Sequence, residues 1–474
     1  MSRGVWLGVV ALLTSPVLAA QPVTGPGSAP LTVEELLGSV NRALPLLEQA
    51  RQEVTVAQGA LVEAQGGFDL TLKADAMSLR GFYDNDRAKG VLEQPLAPLG
   101  MTAYGGYRVG RGSFAAYDTK AQTLSNGEVT AGLVLPLLRD RNIDPRRAGR
   151  SVAEAGVDIA ERGLDKARLI YYREALGAYW EWVAAGQQWR IAQALLDLAV
   201  TRDQQLADAV ALGQTAPVER TDNRRAILQR QSALASAQRE VERQAIGVSL
   251  FLRDVAGTPV RPGSDRMPRL PRPTVGEGEP DEAEETRVAL ERRPELKAIR
   301  LERQQQEVEL RLAENSLLPR MALFAESSRD FGTGPSSRVA SVFETGIAFE
   351  LPFQRRKATG KSLQARARLA TLDQKLRWME DEIRADVQDA ISALRAARTV
   401  LDVVTEEVAV ARELEALERD RFELGESTQF LVNLRELATA DAALREAKAL
   451  ADYQKALVSV ESATGRLVDR VPAP

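Results

Sequence analysis

The chain contains no histidine and no cysteine. With them go the commonest acid-base group, the commonest metal ligand, thiolate nucleophiles and disulfides. Chemistry built on carboxylates alone survives that subtraction, but no constellation of carboxylates supports it. No catalytic residue, metal site or cofactor is therefore expected. The polar residues with suggestive spacing gather around two glycines. Leu212, Gly213 and Gln214 are followed by Thr215, Glu219 and Asp222, while Leu424 and Gly425 are framed by Arg421, Glu423, Glu426 and Ser427. A glycine just past a helix end is the usual C-cap, so each site is at least a tight helix-helix turn. Two exposed, duplicated, charged turns suit docking of a partner better than catalysis.

Two basic runs and one aromatic group complete the candidates. Arg139, Arg141, Arg146, Arg147 and Arg150 recur in the second half as Arg355, Arg356, Lys357 and Lys361. They read as a solvated collar or, beside a bilayer, as a contact to anionic head groups. Tyr171, Tyr172, Tyr179, Trp180, Trp182 and Trp189 recur at helical spacing, which favours packing between helices over substrate stacking. The 62 basic and 66 acidic residues leave a net charge of −4, which argues against a nucleic-acid partner.

The elements that must position these residues are long. Ser362 to Leu424 holds neither Pro nor Gly, and its apolar residues, Leu369, Leu372, Leu376, Met379, Ile383, Val387, Ile391 and Leu394 among them, step by three and four as in a coiled-coil seam. Ser151 to Leu212 is the equivalent rod in the first half, and each is about 95 Å long at 1.5 Å per residue. In each half a shorter helix precedes the strands and a return helix follows the rod. Together the two short helices match one rod in length.

Strand signals lie between the helices. Phe343, Thr345, Ile347, Phe349 and Leu351 alternate with Glu344, Gly346, Ala348 and Glu350, and Val129, Ala131, Leu133 and Leu135 repeat the pattern. Alternation alone favours a soluble antiparallel sheet with one face on a core, but no helix has spare apolar surface to cover such a sheet, whereas outer-membrane strands show the same apolar-out, polar-in alternation. Leu135-Pro136 and Leu351-Pro352 mark strand-to-helix bends, because Pro fixes φ and cannot donate to a ladder. Four main strands per chain are too few to close a barrel, so the barrel must be shared between chains. The Gly- and Tyr-rich stretch 81–126 reads as an elaborated outer loop with a hairpin from Met101 to Val109.

The whole pattern is a duplication. Aligning Pro45 with Pro294 pairs Leu47 with Leu296, Arg51 with Arg300, Glu53 with Glu302, Leu61 with Leu310 and Ala64 with Ala313. The expected organisation is a signal peptide over 1–20, with Arg3 ahead of an apolar run and cleavage after Ala19 or Ala20. A first repeat spans 21–257, with strands about 68–80 and 128–137, long helix 151–212 and return helix 216–256. A Pro/Gly-rich equatorial linker covers 258–281. The second repeat, 282–465, has strands about 320–328 and 341–352, long helix 362–424 and return helix 426–464, before a tail at 466–474.

Arg421-Phe-Glu-Leu-Gly-Glu-Ser, Leu135-Pro-Leu-Leu-Arg139, the Arg-Pro-Glu-Leu run at 293–296 and the stretch from Leu431 to Gly465 with Asp452-Tyr453, in this order and duplicated, resemble the TolC family of outer-membrane efflux and secretion channels. The resemblance implies a mainly α fold with a transmembrane β part. It implies a homotrimer with a shared twelve-stranded β-barrel in outer-membrane lipid and a coiled-coil tunnel across the periplasm. It implies no enzyme activity. A periplasmic adaptor tied to an inner-membrane pump would meet Leu212, Gly213, Gln214, Arg421, Leu424, Gly425, Glu426 and Ser427. Some relatives place acidic rings just behind the second tip, where this chain has Leu431 and Leu434, while the first half keeps Glu219 and Asp222. These four form the candidate periplasmic gate. Some relatives carry a lipidated N-terminal Cys, and without one the barrel alone must anchor the chain. The rival functions are the exit duct of type I protein secretion and, in another class, a periplasmic coiled-coil adaptor or scaffold.

Overall fold

The structure is a computed structural model that describes residues 29–273 and 279–471. The expected signal peptide and residues 274–278 of the expected linker lie outside them. Helix α1, Val33–Ala43, begins where the Thr32 hydroxyl accepts the Glu35 N–H at 3.1 Å, and α2, Pro45–Gln65, begins on its proline. Pro at the first helical position forfeits only a donor that has no helical partner anyway. The second repeat copies this with α5, Glu282–Arg292, capped by Asp281, and α6, Pro294–Asn315. The rods are α3, Pro145–Ala211, and α7, Arg356–Glu423; the return helices are α4, Pro217–Ser249, and α8, Gln429–Ala463.

These helices lie side by side in four lanes. Toward the sheet the order is α2, α3, α6, α7, and toward the tips it is α4, α3, α8, α7. The α7 seam is buried at Ile383, Val387, Ile391, Leu394, Leu401 and Val408, where α7 packs on α8 and on Leu296 of α6. The aromatic group of α3 is core: Tyr172, Tyr179 and Trp182 pack with Leu36, Leu37, Val40 and Leu47 of the α1–α2 pair. Burial lifts the Tyr179 hydroxyl to about 12, and it donates to the Leu31 carbonyl at 2.8 Å. The described part of the linker crosses this waist. Met267 seats its thioether against Gly186 so closely that a Cβ there would lie 1.4 Å from Sδ, and Arg272 reaches Glu446 of α8 at 2.7 Å.

The sheet departs from expectation. Six antiparallel strands, rather than four, follow one another in sequence order: β1 Thr71–Leu79, β2 Asn85–Pro95, β3 Thr102–Gly112, β4 Glu128–Pro136, β5 Arg320–Asp330 and β6 Val342–Glu350. The stretch 81–126 thus carries two further strands, in a hairpin running from Asn85 to Gly112, well beyond Met101–Val109. The alternation of β2 and β3 was obscured because Gly90, Gly105 and Gly106 fill positions where a side chain would have revealed the face.

Cross-strand pairs share a face, and they give the sheet two faces of different character. One face carries Leu72 opposite Leu92, Ala131 opposite Gly105, Leu133 opposite Ala325 and Leu323 opposite Ile347. The other carries Lys73, Asp75, Lys89, Glu93, Tyr104, Arg108, Glu128 and Glu326 around a cavity of about 930 Å³. There Lys73 pairs with Glu93 at 2.5 Å, Arg108 with Glu128, and Tyr104 donates to Glu326 at 2.7 Å.

Candidate functional site

The two tips have the same backbone. At the first, the N–H groups of Leu212, Gly213 and Gln214 donate to the carbonyls of Asp208, Val210 and Ala209 at 3.0, 3.0 and 2.9 Å. At the second, Leu424, Gly425 and Glu426 donate to Asp420, Phe422 and Arg421 at 3.1, 3.0 and 2.8 Å. This is the Schellman closure, and it needs a left-handed residue after the helix. Gly213 has φ +69° and Gly425 φ +78°. Nothing lies within 4 Å of a Cβ built on either glycine, so backbone conformation alone selects them.

Side chains distinguish the tips. At the second, Thr428 caps α8 by accepting from Leu431 N–H, and the Ser427 hydroxyl donates to Glu418 at 2.5 Å. That hydrogen bond, helped by Arg421 and Arg435, holds the Glu418 carboxyl below the usual carboxylate range. Its contribution is present at neutral pH and is lost as pH falls through the lowered value. Leu212 and Leu424 stand in solvent, as do Val218 and Phe430 beside them.

Of the four candidate gate residues, Glu219, Asp222 and Leu434 meet on one groove of about 360 Å³ between α4 and α8; Leu431 does not line it. Arg230 and Asn433, which line that groove, belong to a cluster that has no signature in the sequence. Glu436 of α8, 1% exposed, is paired with Arg230 of α4 at 3.0 Å and with Arg202 of α3; Arg230 is itself 4% exposed. Arg202 also donates to Asn433 at 2.5 Å, and Arg230 to the Leu195 carbonyl at 2.7 Å. One carboxylate thus ties the first hairpin to the second. In the sequence Glu436 looks like one more charge on a solvated helix face, and only the crossing of three helices buries it.

The strand-to-helix joints differ between repeats. Pro136 ends β4, still opposite Ala322, and residues 137–144 intervene before α3. Asp140 in that connection adopts φ +71° and exchanges two 3.2 Å hydrogen bonds with Asn315 at the end of α6. Pro352 lies two residues past β6, with α7 starting at Arg356. The basic runs divide. Arg147 is consumed in the joint, donating to Asp144, to the Asp140 carbonyl and to the Arg141 carbonyl. Arg139, Arg355, Lys357 and Lys361 converge with Arg368 on a cavity of about 580 Å³. Among the described residues no cluster of carboxylates has metal-binding geometry, and no helix is long and apolar enough to cross a membrane.

Known proteins share this architecture. Residues 286–466 match the family model described as outer membrane efflux protein. The fold is similar to the CmeC outer membrane channel of Campylobacter jejuni (13% identity, TM-score 0.61, covering 99% of this chain and 98% of that one). It is similar to the open state of the MtrE outer membrane channel of Neisseria gonorrhoeae (15%, 0.63, 93% and 91%) and to the outer membrane protein VceC of Vibrio cholerae (16%, 0.60, 91% and 96%). No curated protein matches the chain by sequence. The second repeat thus matches the outer membrane efflux protein family, and nearly the whole chain shares the fold of outer membrane channels.

Proposed function

We propose that three copies of the chain form the exit duct of a tripartite efflux system: the sheets span the membrane as a shared barrel, the rods form a periplasmic tunnel, and the tips receive an adaptor joined to an inner-membrane pump. The observation that carries this reading is polarity along the chain. A sheet with one apolar and one charged face stands at one end of the rods, and two turns of identical backbone, bearing exposed Leu212 and Leu424, stand at the other. The groove holding Glu219, Asp222 and Leu434 lies just behind the tips, where a narrowing would control passage.

The decisive test is conductance of the purified protein in a planar bilayer. The wild-type channel is expected to conduct weakly, and Glu219→Ala with Asp222→Ala to change conductance and cation preference; a protein that never conducts would sink the channel reading. Docking has a separate test. Gly213→Ala or Gly425→Ala, which strains a left-handed residue by about 1–2 kcal/mol without touching any neighbour, should reduce efflux in cells while leaving membrane insertion unchanged. Unimpaired efflux with both tips altered would remove the tips from the docking surface.

The membrane face makes a further expectation. Ile347→Arg places a charge on the apolar side and should lower the stability of the membrane-inserted protein by about 2–4 kcal/mol if it lies near mid-bilayer. Thr130→Arg, on the charged face, should cost much less. Equal losses, measured by unfolding from detergent or lipid, would count against a barrel with this face outward.

A further inference from the structure

We infer that the assembled barrel contains eighteen strands, six from each of three copies, closed by β6 of one copy pairing with β1 of the next. This rests on the trimeric reading above and departs from the twelve strands implied by family resemblance.

The hairpin β2–β3 is a full part of the wall. It pairs with β1 from Thr71↔Glu93 to Leu79↔Asn85, and its own strands pair from Asn85↔Gly112 to Pro95↔Thr102. β3 then continues into β4 from Thr102↔Val134 to Arg108↔Glu128. Its turn is seated on the joint below, where a Cβ at Gly100 would lie 2.4 Å from the Asp140 carbonyl oxygen. The charged face runs across it unbroken, with Lys89 opposite Asp75 and Arg108 opposite Glu128.

The sheet ends in two free edges. Every residue of β1 is exposed, and so is every residue of β6 except Gly346. An exposed edge is a template for another chain, and six strands are fewer than the roughly eight that close a barrel. β1 leaves α2 and runs away from the helices, whereas β6 runs back into α7. The edge of one copy therefore meets that of the next in antiparallel sense without inverting either copy.

Width decides the count. Strands about 4.8 Å apart and tilted about 40° occupy about 6 Å of arc each, so six span about 37 Å and four only about 25 Å. Four helical lanes at about 9 Å span about 36 Å. Six strands therefore match the four lanes that carry them. The lumen is then about half as wide again as in a twelve-stranded barrel, because diameter grows roughly linearly with strand number.

The cysteine-free chain permits a direct test. Ala74→Cys on β1 is combined in turn with Thr345→Cys, Ile347→Cys and Phe349→Cys on β6, and separately with Ala131→Cys on β4, and the proteins are oxidised in membranes. The expected result is interchain disulfides running up to a trimer in the β1–β6 series, and none within the chain for the β1–β4 pair. A water-soluble maleimide should label Lys89→Cys but not Ala88→Cys in membranes, with Ala88→Cys becoming reactive in detergent. An intrachain Ala74–Ala131 disulfide, or equal aqueous labelling of Ala88→Cys and Lys89→Cys, would place β2 and β3 outside the wall and overturn the eighteen strands while leaving the trimer standing. A monomeric native mass with no β1–β6 crosslink would overturn the trimer as well.

Discussion

Replacing Glu436 by alanine should destabilise the packing of the two hairpins by about 3–5 kcal/mol, because it leaves the buried Arg230 and the partly buried Arg202 without their carboxylate. The loss is mainly one of uncompensated charge, so Glu436→Ala combined with Arg202→Met and Arg230→Met should recover much of it. Thermal unfolding in detergent would register both effects. A second readout separates a local from a global role. If the cluster holds the hairpins together behind the tips, conductance should rise in Glu436→Ala under conditions where the sheet and the waist stay folded. An unchanged melting profile, or a triple variant as damaged as the single one, would remove the cluster from the account of how the hairpins are joined.

Trp182→Ala is the other large effect. The side chain is fully buried at the waist, against Tyr179 and the leucines of the α1–α2 pair, and removing it leaves a cavity with an expected cost of about 3–5 kcal/mol. The indole N–H has no partner among the described residues. Trp182→Phe therefore gives up ring volume but no hydrogen bond and should cost far less than alanine. Comparable losses for the two substitutions would show that the N–H is satisfied after all, by water or by a neighbouring copy.

The parts legible in the sequence were those where one local signal fixes the backbone. Pro45 and Pro294 each open a helix because a missing N–H costs nothing there, and Val129 to Leu135 and Phe343 to Phe349 alternate over lengths only a strand explains. Gly213 and Gly425 ended their helices in the conformation their residue type implies. What escaped depended on partners distant in sequence. β2 and β3 are recognisable by what they pair with, since Gly90, Gly105 and Gly106 erase their own alternation. Glu436 is special only because α3, α4 and α8 cross over it. The joint at Asp140 is likewise defined by Asn315, a residue of the other repeat.

The contact between Met267 and Gly186 bears on how so regular a molecule finds a single alignment. Rods with apolar steps of three and four offer many nearly equivalent ways to lie together, each a heptad or so away from the last. A repeating seam carries little information about absolute position. A thioether that fits only where a helix lacks a Cβ is a non-repeating mark. Because this mark sits partway along α3 rather than at an end, a slip has to be resolved before either the tips or the strands are placed. The alignment is set at the waist and read out at both extremities.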